Sequence, residues 1–99
     1  MQPQIAKCDE SKESFAAQER CHIVEMWRSS DDSMTIARAR VTPGVTTAWH
    51  ALDGVTERYI IASGTGRMEV GDLPPADVGP GDTVFIPAGA RQRITNTGP

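Results

Sequence analysis

The chain has 99 residues, a length that favours one domain with a single core. Its formal net charge of −3 argues against a nucleic-acid partner, because such partners are held by clustered positive charge. No stretch is long and apolar enough to cross a bilayer, so no membrane partner is expected. The first 20 residues are polar and charged and lack the apolar segment of a secretory signal, which predicts a cytoplasmic protein.

Residues 1–20 are interpreted as an N-terminal arm. Residues 11–20 suit one or two helical turns, since an acidic residue lies early in the segment and a basic residue lies at its end. A helix this short is marginal in water, so it would need the rest of the protein to pack on. Cys8 and Cys21 flank this segment, and in a cytoplasmic protein they are expected to be reduced thiols.

From residue 21 the sequence changes to short apolar segments bounded by Gly, Pro, Asp or Asn. No amphipathic helical pattern interrupts them after Trp27, which indicates an all-β sandwich or barrel over residues 21–99. The stretch LPPADVGPGD is rich in proline and is predicted to be an irregular connection. The predicted strands, about seven in number, are CHIVEMW, SMTIARARV, VTTAWH, TERYIIAS, GRMEV, TVFIP and RQRITN.

Alternation along three of these segments predicts that three polar side chains point into the barrel. Residues two apart on a strand share a face, and each of these polar residues shares its face with an apolar one. We therefore expect His50, Glu57 and Gln92 to face inward, where each needs a hydrogen-bonding partner or a ligand. The sets that share a face are His50 with Ala48 and Leu52, Glu57 with Tyr59 and Ile61, and Gln92 with Ile94 and Asn96.

The spacing around these positions resembles the two sequence motifs of the cupin family. The resemblance covers roughly residues 41–96, and GPGDTVFIPAG is its most cupin-like stretch. It implies the cupin fold, a double-stranded β-helix or jelly-roll barrel, here preceded by the short N-terminal arm. The matching positions are Gly44, His50, Glu57 and Gly64 in the first motif, and Gly81, Pro87, Gly89, Gln92 and Asn96 in the second.

The resemblance also implies a metal site that this chain keeps only in part. In metal-binding cupins, three histidines and one glutamate usually hold an iron, manganese, nickel or zinc ion. Leu52 stands at the position of one histidine and cannot act as a ligand, and Gln92 stands at another and offers only an amide oxygen. One divalent ion (Fe, Mn, Ni or Zn), held weakly by His50, Glu57 and Gln92, is the expectation that follows.

The same residues leave other roles open. His50 and Glu57 could form a direct hydrogen-bonded pair, which would serve as general acid and base or be inert. Tyr59 shares the face of Glu57 and is a candidate cavity acid, although filling core volume explains it equally well. His50, Glu57 and Tyr59 are therefore the candidate catalytic residues.

Two classes of function are consistent with these residues. The favoured hypothesis is a cupin that binds a small polar molecule in the barrel cavity, with a weak divalent metal site. The alternative is a metal-dependent cupin enzyme, an oxygenase, isomerase or lyase, with His50 and Glu57 as ligands. A protein kept for its oligomeric surface, with a vestigial cavity, is a third hypothesis.

Five arginines alternate with the apolar positions of their strands. Because they lie opposite the apolar face, we expect these arginines to point outward and pair with acidic residues. The alternative, a site that captures a carboxylate or phosphate, is less favoured. These arginines are Arg38, Arg40, Arg58, Arg91 and Arg93.

Trp49 and Ile60 are expected on the outer surface, and an apolar patch of this kind is normally covered by a partner. A homodimer is therefore predicted, in line with the dimers common among cupin-like proteins. The sequence ends three residues after Asn96, where a cupin usually continues into a further strand. The barrel of residues 21–99 is accordingly expected to lack its last strand, unless the polypeptide is part of a longer one.

Overall fold

The computed structural model describes residues 2–99; Met1, the first residue of the predicted arm, lies outside them. Within that range the chain is nearly all β, as the alternating pattern predicts, and its one helical segment is a 3-10 turn at Glu10–Lys12. No helix in the described part is long and apolar enough to cross a membrane. The strands are β1 (Ser14–Ala16), β2 (Cys21–Arg28), β3 (Thr35–Arg40), β4 (Glu57–Ile60), β5 (Gly66–Val70), β6 (Ala76–Val78), β7 (Thr83–Ile86) and β8 (Gln92–Asn96).

These strands form three antiparallel sheets. β1, β2 and β3 pair in chain order, β4 pairs with β7, and β5 lies between β6 and β8. The segment between β3 and β4 returns along β8 and contacts it at two isolated bridges, Thr46 with Thr95 and His50 with Gln92. The second bridge brings the first-motif and second-motif residues together.

The core is small and lies between the second and third sheets. Met68, Val70 and Ile86 are buried, and Tyr59 and Val84 pack against them. Met68 and Val70 are two residues apart on β5 and therefore share a face, which is the face the period-two pattern predicts. The core thus lies on the same side of the strands as the predicted polar positions.

Two of the predicted element boundaries are wrong. VTTAWH does not form a regular strand, because the pairing with β8 shifts by one residue between its two bridges and the chain bulges there. The proline-rich connection contains the three-residue strand β6, which begins directly after Pro75. A proline directly before the strand is compatible with it, because that position does not have to donate an N–H to the ladder.

The helical prediction for the arm is wrong beyond Lys12. Asp9 caps the 3-10 turn by accepting a hydrogen bond from the Ser11 N–H, and the chain then becomes β1. β1 pairs with β2 from Ser14 to Ala16. The pairing satisfies backbone groups that a short isolated helix would hold only marginally.

The arm is fastened to β3 by ion pairs. Glu13 lies 2.7 Å from Arg40 and 3.0 Å from Arg38, and Arg38 also contacts Glu10 at 2.9 Å. The hydrogen bond from Arg40, followed by that from Arg38, lowers the pKa of Glu13 from 4.5 to about 2. Arg38 and Arg40 therefore pair with acidic residues, as their position on the strand face opposite the apolar residues predicts.

We expect the free energy of unfolding of Glu13→Gln to fall less steeply with decreasing pH than that of the wild type. Because the folded-state pKa of Glu13 lies below its unfolded value, its stabilising contribution is complete above pH 4.5 and is lost as the pH falls towards about 2. Urea unfolding of wild type and Glu13→Gln across this pH range measures the slope of the free energy of unfolding against pH. Glu25→Gln, which removes a carboxylate paired with Arg28 elsewhere on the surface, is the control and should keep the wild-type slope. Equal slopes for Glu13→Gln and wild type would contradict the conclusion that the ion pairs of Glu13 stabilise the folded state.

Two predicted surface residues are exposed to different extents. Ile60 is 73 % exposed on the outer face of β4, where the neighbouring strand adds the exposed Phe85. Trp49 is 39 % exposed, but Arg91 and Arg93 lie over its ring at 4.6 and 4.3 Å. Homodimer formation stays a prediction.

Both cysteines are free thiols; Cys8 is exposed and Cys21 is buried.

Candidate functional site

Three separate segments bring the predicted polar residues together. Glu57 is the first residue of β4, and Gln92 is the first residue of β8. His50 precedes β4 and is positioned by its bridge to Gln92, in which each backbone N–H donates to the other residue's carbonyl. The predicted convergence of these three side chains is therefore present in the structure.

The amide of Gln92 lies at the centre of this cluster. The residue is completely buried, at 0 % exposure. Its Oε1 accepts a hydrogen bond of 2.8 Å from the Tyr59 hydroxyl, while its Nε2 lies 2.6 Å from His50 Nε2 and 3.5 Å from Glu57 Oε1. One side chain thus contacts the three predicted catalytic candidates at once.

The chemistry of the neighbours fixes which way the amide points. A carboxylate only accepts hydrogen bonds, so the Gln92 nitrogen belongs on the side of Glu57 and the oxygen on the side of Tyr59. The reverse orientation would direct the amide oxygen at a carboxylate oxygen. Gln92 therefore donates towards His50 and Glu57 and accepts from Tyr59.

His50 and Glu57 do not form the direct hydrogen bond that one sequence interpretation proposed. Their nearest atoms, His50 Nε2 and Glu57 Oε1, are 3.9 Å apart, which is too long for a hydrogen bond. The Gln92 amide contacts both instead. The two side chains are 25 % and 24 % exposed, so the cluster has a buried end at Gln92 and an open end at His50 and Glu57.

Tyr59 is held in its protonated form. Burial raises the pKa of its phenol well above the ordinary value, and the negative charge of Glu57 raises it further. The phenol accordingly acts as a hydrogen-bond donor to Gln92. This contact occupies its proton, which weakens its candidacy as an acid for a bound molecule.

The donor set does not fit a resident metal ion. An ion shared by His50 and Glu57 would lie about 2 Å from each. The Gln92 nitrogen, which cannot be a ligand while it carries two protons, is directed into this space. Leu52 adds no donor, and among residues 2–99 no three His, Cys, Asp or Glu side chains lie close enough to share one ion.

An apolar depression is lined by residues of β5, β6 and β7. Its volume is about 400 Å³, and Met68, Val70 and Val84 contribute to its walls. Val70 pairs with Gln92, and Val84 pairs with Tyr59, so two of its walls are in register with the buried end of the cluster. His50 and Glu57, at the open end, do not line it.

Two contacts of the site were not predicted from the sequence. The parity of Tyr59 and Gln92 placed both inside the barrel, but the hydrogen bond between them depends on how β4 and β8 approach each other. The stacking of Arg91 and Arg93 on Trp49 depends on the bridge between His50 and Gln92. Parity alone predicted only that all three residues face outward.

Comparison with known proteins bears on the fold and the family. The family model described as "Cupin domain" matches residues 37–99. No curated protein matches the chain. Among solved structures, a predicted oxalate decarboxylase from Thermotoga maritima is similar, with a TM-score of 0.77 and 21 % sequence identity. The match covers 93 % of this chain and 88 % of that one, and it supports the jelly-roll architecture.

Proposed function

Because the chain belongs to the cupin family, we propose that it binds a small polar molecule at the cluster of His50, Glu57 and Gln92, without a requirement for a metal ion. Family membership alone does not define an activity, because one fold supports many chemistries. The proposal therefore depends on the geometry of the cluster. The polar groups at its open end are few and converge from separate segments, which is how small-molecule sites orient a ligand.

One observation supports the proposal above the others. The Gln92 nitrogen lies 2.6 Å from His50 Nε2, so an amide proton occupies the place where a cation would face this imidazole. The buried Tyr59 hydroxyl holds the amide from the other side. The cluster is in this way ordered by hydrogen bonds between protein groups, and a bound ion is not needed to order it.

The metal-dependent enzyme is not adopted as the function. It needs His50 and Glu57 to share an ion, and the amide of Gln92 is directed between them. The remaining cupin ligand position is Leu52, which has no donor atom. Within residues 2–99, this cluster therefore gives little support to oxygenase, isomerase or lyase chemistry of the metal-dependent type.

The test is a binding screen on chelator-treated, ¹⁵N-labelled protein with a panel of small amines, polyols, sugars and carboxylic acids. We expect at least one compound to shift the Gln92 side-chain amide resonances saturably, and the response to be the same after manganese or zinc is added. His50→Ala should weaken binding at least about tenfold, since it removes the side chain that holds the Gln92 amide in place beside Glu57.

His22→Ala is the matched control, because it removes the chain's other histidine, which lies on β2. Its binding should equal that of the wild type. A panel that binds only once a divalent metal has been added would contradict the proposal and favour the metal-dependent alternative.

A further inference from the structure

The hydrogen bonds of the cluster determine which kind of chemical group it has left to offer. At His50 both ring nitrogens are engaged. Nε2 lies 2.6 Å from the Gln92 nitrogen, which can only donate, so Nε2 is the acceptor in this contact. Nδ1 lies 3.4 Å from the carbonyl of Ala48 and 3.5 Å from the same Gln92 nitrogen. Both ring nitrogens therefore already have polar neighbours within the protein.

Glu57 is in a different position. Within residues 2–99, the one donor near its side chain is the Gln92 nitrogen, at the long distance of 3.5 Å. His50 Nε2, at 3.9 Å, accepts from the same amide and is too far away to donate a hydrogen bond to Glu57. A carboxylate has about four acceptor positions, so most of the capacity of Glu57 is open, at a side chain that is 24 % exposed. The open end of the cluster is thus an acceptor with a negative charge.

The positively charged residues nearest in the strands do not compensate this charge. Arg58, which follows Glu57 on β4, lies over the Phe85 ring on the outer face. Arg91 and Arg93 flank the inward-facing Gln92 and lie over the Trp49 ring, also on the outer side. Arg93 is also paired with Glu69 at 2.6 Å. A carboxylate ligand would consequently meet Glu57 without a cation to neutralise it, and like charges at short distance repel.

We infer that the group recognised at this site is a positively charged hydrogen-bond donor, the ammonium group of a small amine, which donates to the Glu57 carboxylate. The inference rests on the proposed binding function and names the class of ligand. The ammonium would form a charge-assisted hydrogen bond with Glu57, whose side chain is partly exposed. A neutral hydroxyl group can make the same contact more weakly, and a carboxylate cannot.

The experiment compares three four-carbon probes that differ in their end groups: putrescine, butanediol and succinate. Each is titrated into ¹⁵N-labelled protein, and the Gln92 side-chain amide reports binding. We expect putrescine to bind at least about tenfold more tightly than succinate, with butanediol between them. Glu57→Gln should weaken putrescine binding at least about tenfold, while Glu25→Gln, a carboxylate on the β2 surface, should leave it unchanged.

Other results would overturn the ligand class, the role of Glu57 or the binding function. Succinate binding as tightly as putrescine would overturn the ligand class and leave the proposed binding function intact. Putrescine binding that is the same in Glu57→Gln and wild type would overturn the role of Glu57. If none of the three probes shifts the Gln92 amide but another compound of the screening panel does, the ligand class fails and the proposed binding function stands; if no compound of either set shifts it, both fail.

Discussion

Gln92→Leu is expected to lower the free energy of unfolding by about 2–3 kcal/mol, because it leaves buried polar groups without partners. Leucine is close to glutamine in volume, so little cavity opens at this fully buried position. The loss comes from the Tyr59 hydroxyl, which has no other hydrogen-bond acceptor among the contacts of residues 2–99, and from the contact with His50. Thermal unfolding should show a fall in Tm of about 10–20 °C.

Two further variants separate this cause from a general effect of the substitution. Gln18→Leu makes the same change at an exposed residue of the arm and should leave Tm nearly unchanged. Tyr59→Phe added to Gln92→Leu removes the orphaned hydroxyl as well, so the double variant should be more stable than Gln92→Leu alone. A Gln92→Leu protein as stable as wild type would mean that the amide does not hold the cluster together.

Gln92→His is expected to create a metal site. An imidazole at this position removes the amide protons that are directed between His50 and Glu57, and it completes a set of two histidines and one glutamate. This set holds catalytic zinc in other proteins, with water as the fourth ligand. Because a ligand itself is added, the gain in zinc affinity should exceed the about 10- to 100-fold effects of changes around a site. Calorimetric titration of chelator-treated protein measures it.

The control for this gain is chosen from the same cluster. His50→Ala in the Gln92→His background should abolish the new affinity, and His22→Ala in that background should preserve it, since His22 lies on β2 beside Glu13. Zinc affinity that is equal in Gln92→His and wild type would contradict the explanation that the amide is what prevents metal binding.

The inward direction of the site residues could be predicted from the sequence because it depends on strand parity alone. Parity placed His50, Glu57, Tyr59 and Gln92 on inner faces, and the structure brings them into contact. Parity does not reveal distances across sheets. The 3.9 Å between His50 and Glu57, and the amide placed beside both, follow from a bulge and a register shift that no local pattern encodes.

The N-terminal arm shows why the helical prediction for residues 11–20 failed. Residues 11–20 have local features of a short helix, but such a helix is only marginally stable, so pairing with another strand decides the outcome. Glu13 precedes β1 and contacts Arg38 and Arg40, more than twenty residues away along the chain. The sequence identified these arginines as partners of acidic residues without identifying which acidic residue they would meet.

The most direct test of the central claim is elemental analysis of the wild-type protein, purified without a histidine tag or a chelator. If the Gln92 amide takes the place of a cation beside His50 and Glu57, iron, manganese, nickel and zinc should all be far below one ion per chain. A nearly stoichiometric ion in the wild type that is lost in His50→Ala would contradict the account and restore the metal-dependent function.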